Sequence, residues 1–426
     1  MGTRILILIL GMAMASVEPS SAQQKADFKQ FVVMGEGLAA GFADFSLRDN
    51  YQRNSFPALI AAKMNVLFPQ PLFQSPGMGS VPGFAVLPAR IPATLQTTVR
   101  VAAGPKPANT PERANAQPPI NVFVFNVSIP SQKVVDALAR RPVPPLIQQN
   151  DMQQSTINMI LGFPEMVAGA NKPVWTQLEY VQQLRPTYIM VALGYSDMLE
   201  AAASGNTALL PDATAFRTNY TAILSGLKGL FAPILIVNIP DPTDTAYFST
   251  IAAASRLLVA PPNVIASLYN LRADDQITLP GLVEMGNQLN TNRVGTLPPG
   301  SIVSAATLAA IKASVRALNT EIANQAQSNN ALLYDLQALF SRVRTGGIVA
   351  NGKAITADFQ GGFYSLCGFF PGSTGHALIA NDLLGLINRT YSTSFALVDL
   401  NAISAADPAV RFMPDARRSR QEETRQ

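Results

Sequence analysis

One cysteine, one histidine and one tryptophan are all that this 426-residue chain has of those residues. A single cysteine, Cys367, excludes an intrachain disulfide, and a lone thiol of this kind is expected to be buried and inert. A structural zinc site built on Cys and His is excluded because it needs four such ligands. Neither a metal nor a cofactor is expected. Any serine–histidine catalytic pair would have to use His376. Charge is scarce too. Charged residues make up 14% against 48% hydrophobic, which supports a sizeable core and argues against general disorder. The net charge is +4, with no basic stripe interleaved with aromatics, so nothing points to nucleic acid.

The N-terminus "MGTRILILILGMAMASVEPSSAQQ" has a basic Arg4, an apolar run from Ile5 to Met14 and small residues at Ser20-Ser21-Ala22. It reads as a secretory signal peptide, residues 1–22, cleaved before Gln23. The apolar run is too short to span a bilayer comfortably; an uncleaved anchor is the alternative. No later run reaches spanning length without a charge or a proline. The mature protein is therefore expected to be exported, periplasmic or secreted, and not an integral membrane protein. At the other end, residues 401–426 are expected to be a basic, disordered tail. Its terminus "RFMPDARRSRQEETRQ" holds five arginines against three acids, about half of the net excess.

Between these ends, strand and helix patterns alternate. Phe31–Met34, Val122–Val127, Tyr188–Leu193, Ile234–Asn238 and Ala331–Tyr334 are short apolar runs without polar alternation, as parallel strands covered on both faces require. Helical segments Trp175–Leu184, Asp212–Leu230, Ser304–Gln327 and about Thr374–Asn388 lie between and after them. Asp212 suits an N-cap, and Phe216, Tyr220, Leu224 and Leu227 share one face. The alternation predicts one domain over residues 23–400, a three-layer α/β/α sandwich with a mostly parallel, flavodoxin-like sheet. Two stretches read as insertions: about 102–119, rich in Pro, Ala and Asn, and about 261–300, a long excursion between a strand and a helix.

In an open α/β sheet the site lies beyond the carboxyl ends of the strands. The turns there are "GEGLAAG" (from Gly35), "NVSIPSQ" (from Asn126), "LGYSDML" (from Leu193) and "IPDPTDTAYF" (from Ile239). "FYSLCGFFPGSTGHALIAND" precedes the last helix. With "RNSFPALIA" (Arg53–Ala61), "FRTNYTAILSGL" (Phe216–Leu227), "IVNIPDPTDTAYF" (Ile236–Phe248), "ALNTEIANQAQ" (Ala317–Gln327) and "GHALIAN" (Gly375–Asn381), the chain from about Asp27 to Thr390 resembles the SGNH (GDSL-type) esterases and lipases, in particular their exported bacterial branch.

The resemblance implies a site with five functional positions, and this chain departs from the family at each. Gly37 stands where the family has its nucleophilic serine. Ser131 stands for the oxyanion glycine and Ser196 for the oxyanion asparagine. Cys367 and Phe370 stand for the aspartate and histidine of the catalytic pair. His376 lies six residues beyond Phe370, in the segment that aligns with the following helix, and is expected to be structural.

Acyl transfer needs a nucleophile, a base within reach of it and donors for the oxyanion. Gly37 has no nucleophilic atom, and Phe370 accepts no proton. A Cys367 thiolate, or a Glu36–Asp197 carboxylate pair as in glycoside hydrolysis, are the available rescues. Three functions stay open. In the first, the protein is a pseudoenzyme that binds a glycan, lipid or acyl ligand, or an envelope protein. Glu36, Gly37, Ser131, Tyr195, Ser196, Cys367 and Phe370 are then its candidate contacts. In the second it is an active esterase with a non-standard nucleophile. In the third it is a structural envelope protein, docking through the 261–300 excursion or the basic tail. An open cleft around Gly37, Tyr195 and Phe370 favours binding; a filled one favours the structural reading.

Overall fold

Four of the apolar runs form the central sheet. They are β1 (Phe31–Gly35), β2 (Tyr188–Ala192), β3 (Ile234–Val237) and β4 (Leu332–Tyr334), parallel and neighbours in that order. This computed structural model describes residues 26–73, 77, 123–145, 148, 151–162, 174–411 and 413. The expected signal peptide, the 102–119 loop and the chain beyond 413 lie outside the described residues. Every residue of β1, β2 and β3 is buried, so both faces of the sheet are covered, which is why these runs lack polar alternation. β1 pairs with β2 from Phe31 opposite Tyr188 to Gly35 opposite Ala192.

The strand expected at Val122–Val127 is a correction. Val122 lies outside the described residues, and the pairing runs from Phe125 to Ile129 with one parallel bridge, Val33 to Asn126. Val33 N–H donates to Phe125 O (2.9 Å), Val127 N–H to Val33 O (3.0 Å) and Ile129 N–H to Gly35 O (3.2 Å). Asn126 turns its amide aside to Ala39 O (3.1 Å). With this segment outside β1, the spatial order is second, first, third, fourth, fifth in chain order. The order reverses between β1 and β2, which puts the crevice at their carboxyl ends.

Helices form the outer layers. α1 (Phe56–Met64) packs against α9 (Ser373–Tyr391), and α4 (Ala213–Lys228) against α2 (Gln177–Leu184) and α8 (Ala305–Ser328). Thr176 and Glu179 make a capping box at the start of α2. Asp212 accepts from Ala215 N–H (2.7 Å) at the start of α4, whose Phe216, Tyr220, Leu224 and Leu227 are buried as their spacing predicts. α3 (Tyr195–Ser204) follows β2 directly.

The 261–300 excursion and the residues on either side of it carry secondary structure of their own. α5 (Ile251–Leu258), α6 (Pro262–Leu268) and α7 (Leu279–Thr291) surround a small antiparallel sheet of Phe248–Ser249, Gln276–Thr278 and Ile302–Val303. The start of the expected tail is a further correction. α10 (Leu400–Ala406) and α11 (Pro408–Arg411) occupy it, with Ser404 and Val410 buried. Asp399 caps α10, and Asp407 of the α10–α11 junction reaches the start of α9. These polar anchors, together with apolar Val410, hold a segment whose net charge suggested a frayed end. Among the described residues no single helix is long and apolar enough to cross a membrane.

Candidate functional site

The turn after β1 begins at Glu36 and continues into a single helical turn, Gly37–Ala40. It faces the segment Phe363–Gly372, a narrow hairpin just before α9. Ser365 N–H donates to Phe370 O (2.9 Å) and Gly372 N–H to Phe363 O (2.9 Å). Gly368 turns the hairpin at φ +80°, and a Cβ there would stand 2.8 Å from the backbone of Tyr247, so only glycine fits. The hairpin drives the Phe370 ring onto Gly37. A Cβ on Gly37 would lie 2.7 Å from Phe370 Cε1 and 2.9 Å from Cζ. Phe42 and Tyr195 box the ring edge-on, with centroids at 5.2 and 5.9 Å. The Tyr195 hydroxyl donates to Phe369 O (3.0 Å), and Phe369 stacks on Tyr247 at 4.0 Å.

The polar residues are fixed in pairs. Ser196 Oγ donates to Glu36 Oε2 (2.5 Å). Burial pushes the Glu36 carboxyl up to about 8, so it is protonated at neutral pH. Asp197 accepts instead from Val134 N–H (3.0 Å) at the start of a neighbouring helix, and burial lifts it to about 7. The two acids therefore brace different turns. Cys367 is fully buried with Sγ 3.1 Å from Ser365 Oγ, and burial pushes its thiol up, away from the thiolate. Ser131 is half-buried at φ +62°, the left-handed backbone that glycine prefers, and its carbonyl accepts from Gln153 (2.9 Å).

His376 is fully buried, in the first turns of α9. Its Nδ1 accepts from Phe56 N–H (3.4 Å), and Nε2 has no hydrogen-bond partner. Burial lowers its pKa to about 3, so it stays neutral. Its contacts are with α1, not with Gly37.

The structure thus brings Glu36, Gly37, Tyr195, Ser196, Cys367 and Phe370 together, while Ser131 turns its carbonyl to Gln153 instead. Of the two alternatives, an open cleft or a filled one, the structure shows the filled one: Phe370 and Tyr195 occupy the space between these residues. The nearby cavity, lined by Glu36, Leu38, Phe56, Tyr195, Asn238 and Ile239, has about 10 Å³ for water centres. That is roughly the room one water needs.

Two supports were not foreseen. Asp44 Oδ1 accepts from Leu366 N–H (2.9 Å), and its Oδ2 pairs with Arg48 (3.4 Å) and the Tyr51 hydroxyl, all of them buried. Asp407 Oδ2 accepts from both the N–H and the hydroxyl of Thr374 (2.8 Å each), capping α9 where Gly372 has no side chain to do so. An acid and an arginine four residues apart in a charge-poor chain were the visible signal for the first.

No family model matches this chain, and no curated protein matches it. Among solved structures, the chain is similar to an alpha/beta hydrolase enzyme from the metagenome of Lake Arreo, Spain. The match covers 87% of this chain and 98% of that one, at 11% identity and a TM-score of 0.37.

Proposed function

We propose that this chain is an exported, non-catalytic relative of the SGNH hydrolases that acts by binding an envelope partner at its surface. The observation that carries this reading is the Phe370 ring standing 2.7 Å from where a Gly37 Cβ would be. A serine at position 37 would have no room, and a substrate carbonyl would have none beside it. The chemistry is missing as well as the space. Gly37 offers no nucleophile, Phe370 takes no proton, and Cys367 is held as a buried thiol. Loss of a nucleophile or a base alone costs on the order of 10⁶-fold in kcat in a serine protease. A glycan, lipid or protein partner must then be met outside this crevice.

The test is hydrolysis of short-chain aryl esters and thioesters by the wild-type protein, by Gly37→Ser and by the triple variant Gly37→Ser, Cys367→Asp, Phe370→His. Wild type is expected to match a heat-killed blank. Turnover well above the blank that Cys367→Ala or Ser131→Ala abolishes would overturn the reading. Activity gained only by the triple variant would mean that the scaffold survives and that the loss lies in these three side chains, which supply both the missing chemistry and the plug.

A further inference from the structure

Three of the exposed large apolar side chains, Val259, Val264 and Leu268, lie within ten residues of one another at the elbow between α5 and α6. The two helices meet at 104°, and together they are apolar enough for a membrane segment. At eight and seven residues, or about 12 and 10 Å, neither approaches the ~30 Å of a bilayer core. Val259 sits at the bend, 91% exposed. It is held there at φ +52°, a left-handed conformation that a β-branched residue rarely adopts. Val264 and Leu268 continue the exposed strip along α6, and Leu271 follows it, half-buried.

The charges around this strip are arranged. From Leu257 to Leu271 the chain carries no charged residue, and an exposed arginine stands at each end, Arg256 and Arg272. Arg256 reaches Asp358 (3.0 Å), yet it keeps 66% of its surface in solvent. Beyond Arg272, Asp275 is turned inward to accept the Arg272 N–H (2.9 Å), and Asp274 is exposed. An uncharged apolar wedge framed by two arginines matches the layered chemistry of an anionic bilayer surface. The wedge enters the acyl boundary while the guanidinium groups meet phosphate.

We propose that the α5–α6 elbow docks this protein on an anionic lipid surface, with Val259, Val264 and Leu268 inserted at the headgroup level. This deepens the reading that the protein works by surface binding. Vesicle binding and ester turnover are read separately, so either idea can fail without the other.

The experiment is co-sedimentation of the protein, isolated after export, with vesicles of phosphatidylglycerol and phosphatidylcholine and with phosphatidylcholine alone. Wild type is expected to bind the anionic vesicles more tightly. Val259→Glu with Leu268→Glu should weaken binding ~tenfold or more, because apolar insertion is lost. Both positions are exposed, so the fold should be kept; circular dichroism and the melting temperature check this. Val259→Trp should tighten binding, and Arg256→Gln with Arg272→Gln should erase the anionic preference. Absence of binding by wild type, or binding indifferent to all these changes, would overturn the proposal. So would a wild-type dimer that Val259→Glu splits while vesicle binding is unchanged, since a second copy would then be the occupant.

Discussion

The Phe370 ring occupies the place where Gly37 would carry a side chain, with Cε1 2.7 Å from an ideal Cβ. The ring has nowhere to go, because Phe42, Tyr195 and the 363–372 hairpin hold it. Gly37→Ala should therefore destabilise the protein by ~1–3 kcal/mol through overpacking, and Phe370→Leu in the same chain should restore part of that loss. Urea unfolding of the two single variants and the double variant checks the coupling. Simple additivity would mean that the two positions do not meet.

Glu36 gives a pH dependence with a definite sign. Its carboxyl is raised from 4.5 to about 8 by burial, so the folded state holds a proton that the unfolded chain has released. Its contribution to stability is full below about pH 4.5 and is lost as pH rises through about 8, at ~1.4 kcal/mol per unit in between. Asp197 acts in the same direction up to about 7. Glu36→Gln, which can still accept the Ser196 hydroxyl, should flatten this slope and be relatively more stable at pH 8–9. Melting temperatures from pH 4 to 9 decide it; parallel curves for the two proteins would refute the assignment.

His376 works in the opposite sense. Its pKa falls from 6.5 to about 3 on burial, so its share of stability is present above 6.5 and is lost as pH falls toward 3. His376→Phe should unfold less steeply between pH 6.5 and 3, while losing the acceptor for Phe56 N–H. An unchanged acid limb would show that the ring is not buried neutral.

Asp44 neutralises Arg48 in the interior. Asp44→Asn leaves a guanidinium buried without its carboxylate and should cost about 3–5 kcal/mol. Arg48→Met in the same protein should return part of that cost. Chemical denaturation of the four members of this cycle measures the pair.

Much of the fold was legible because it rests on local signals. β1, β2 and β3 are uninterrupted apolar runs, and Thr176 with Glu179 and Asp212 mark helix starts within a few residues. The site was legible only as a set of positions. Phe370 is equally compatible with the floor of a cleft and with a plug. The choice depends on a hairpin that brings residue 370 onto residue 37, a contact with no local signature. The segment from residue 400 to 411 lacks a local signal because Asp407 makes its bonds to Thr374, far back in sequence, while the charge that suggests a loose tail lies from Arg411 onward. The strand near 122–127 shifted because its bonds to β1 run from Phe125 to Ile129 through the Asn126 bridge, a register that the apolar run alone does not show.

The cap on α9 also sets an order of events in time. Thr374 is made before the Asp407 that satisfies it, so α9 waits with a bare amino end until 33 more residues have been synthesised. A chain that stops before Asp407 keeps every strand of the central sheet, but it leaves the helix behind the Phe370 hairpin open to fraying. Whether the chain has passed Asp407 is thus recorded at the same spot that closes its crevice, and a protease that samples loose helix ends distinguishes capped from uncapped copies there.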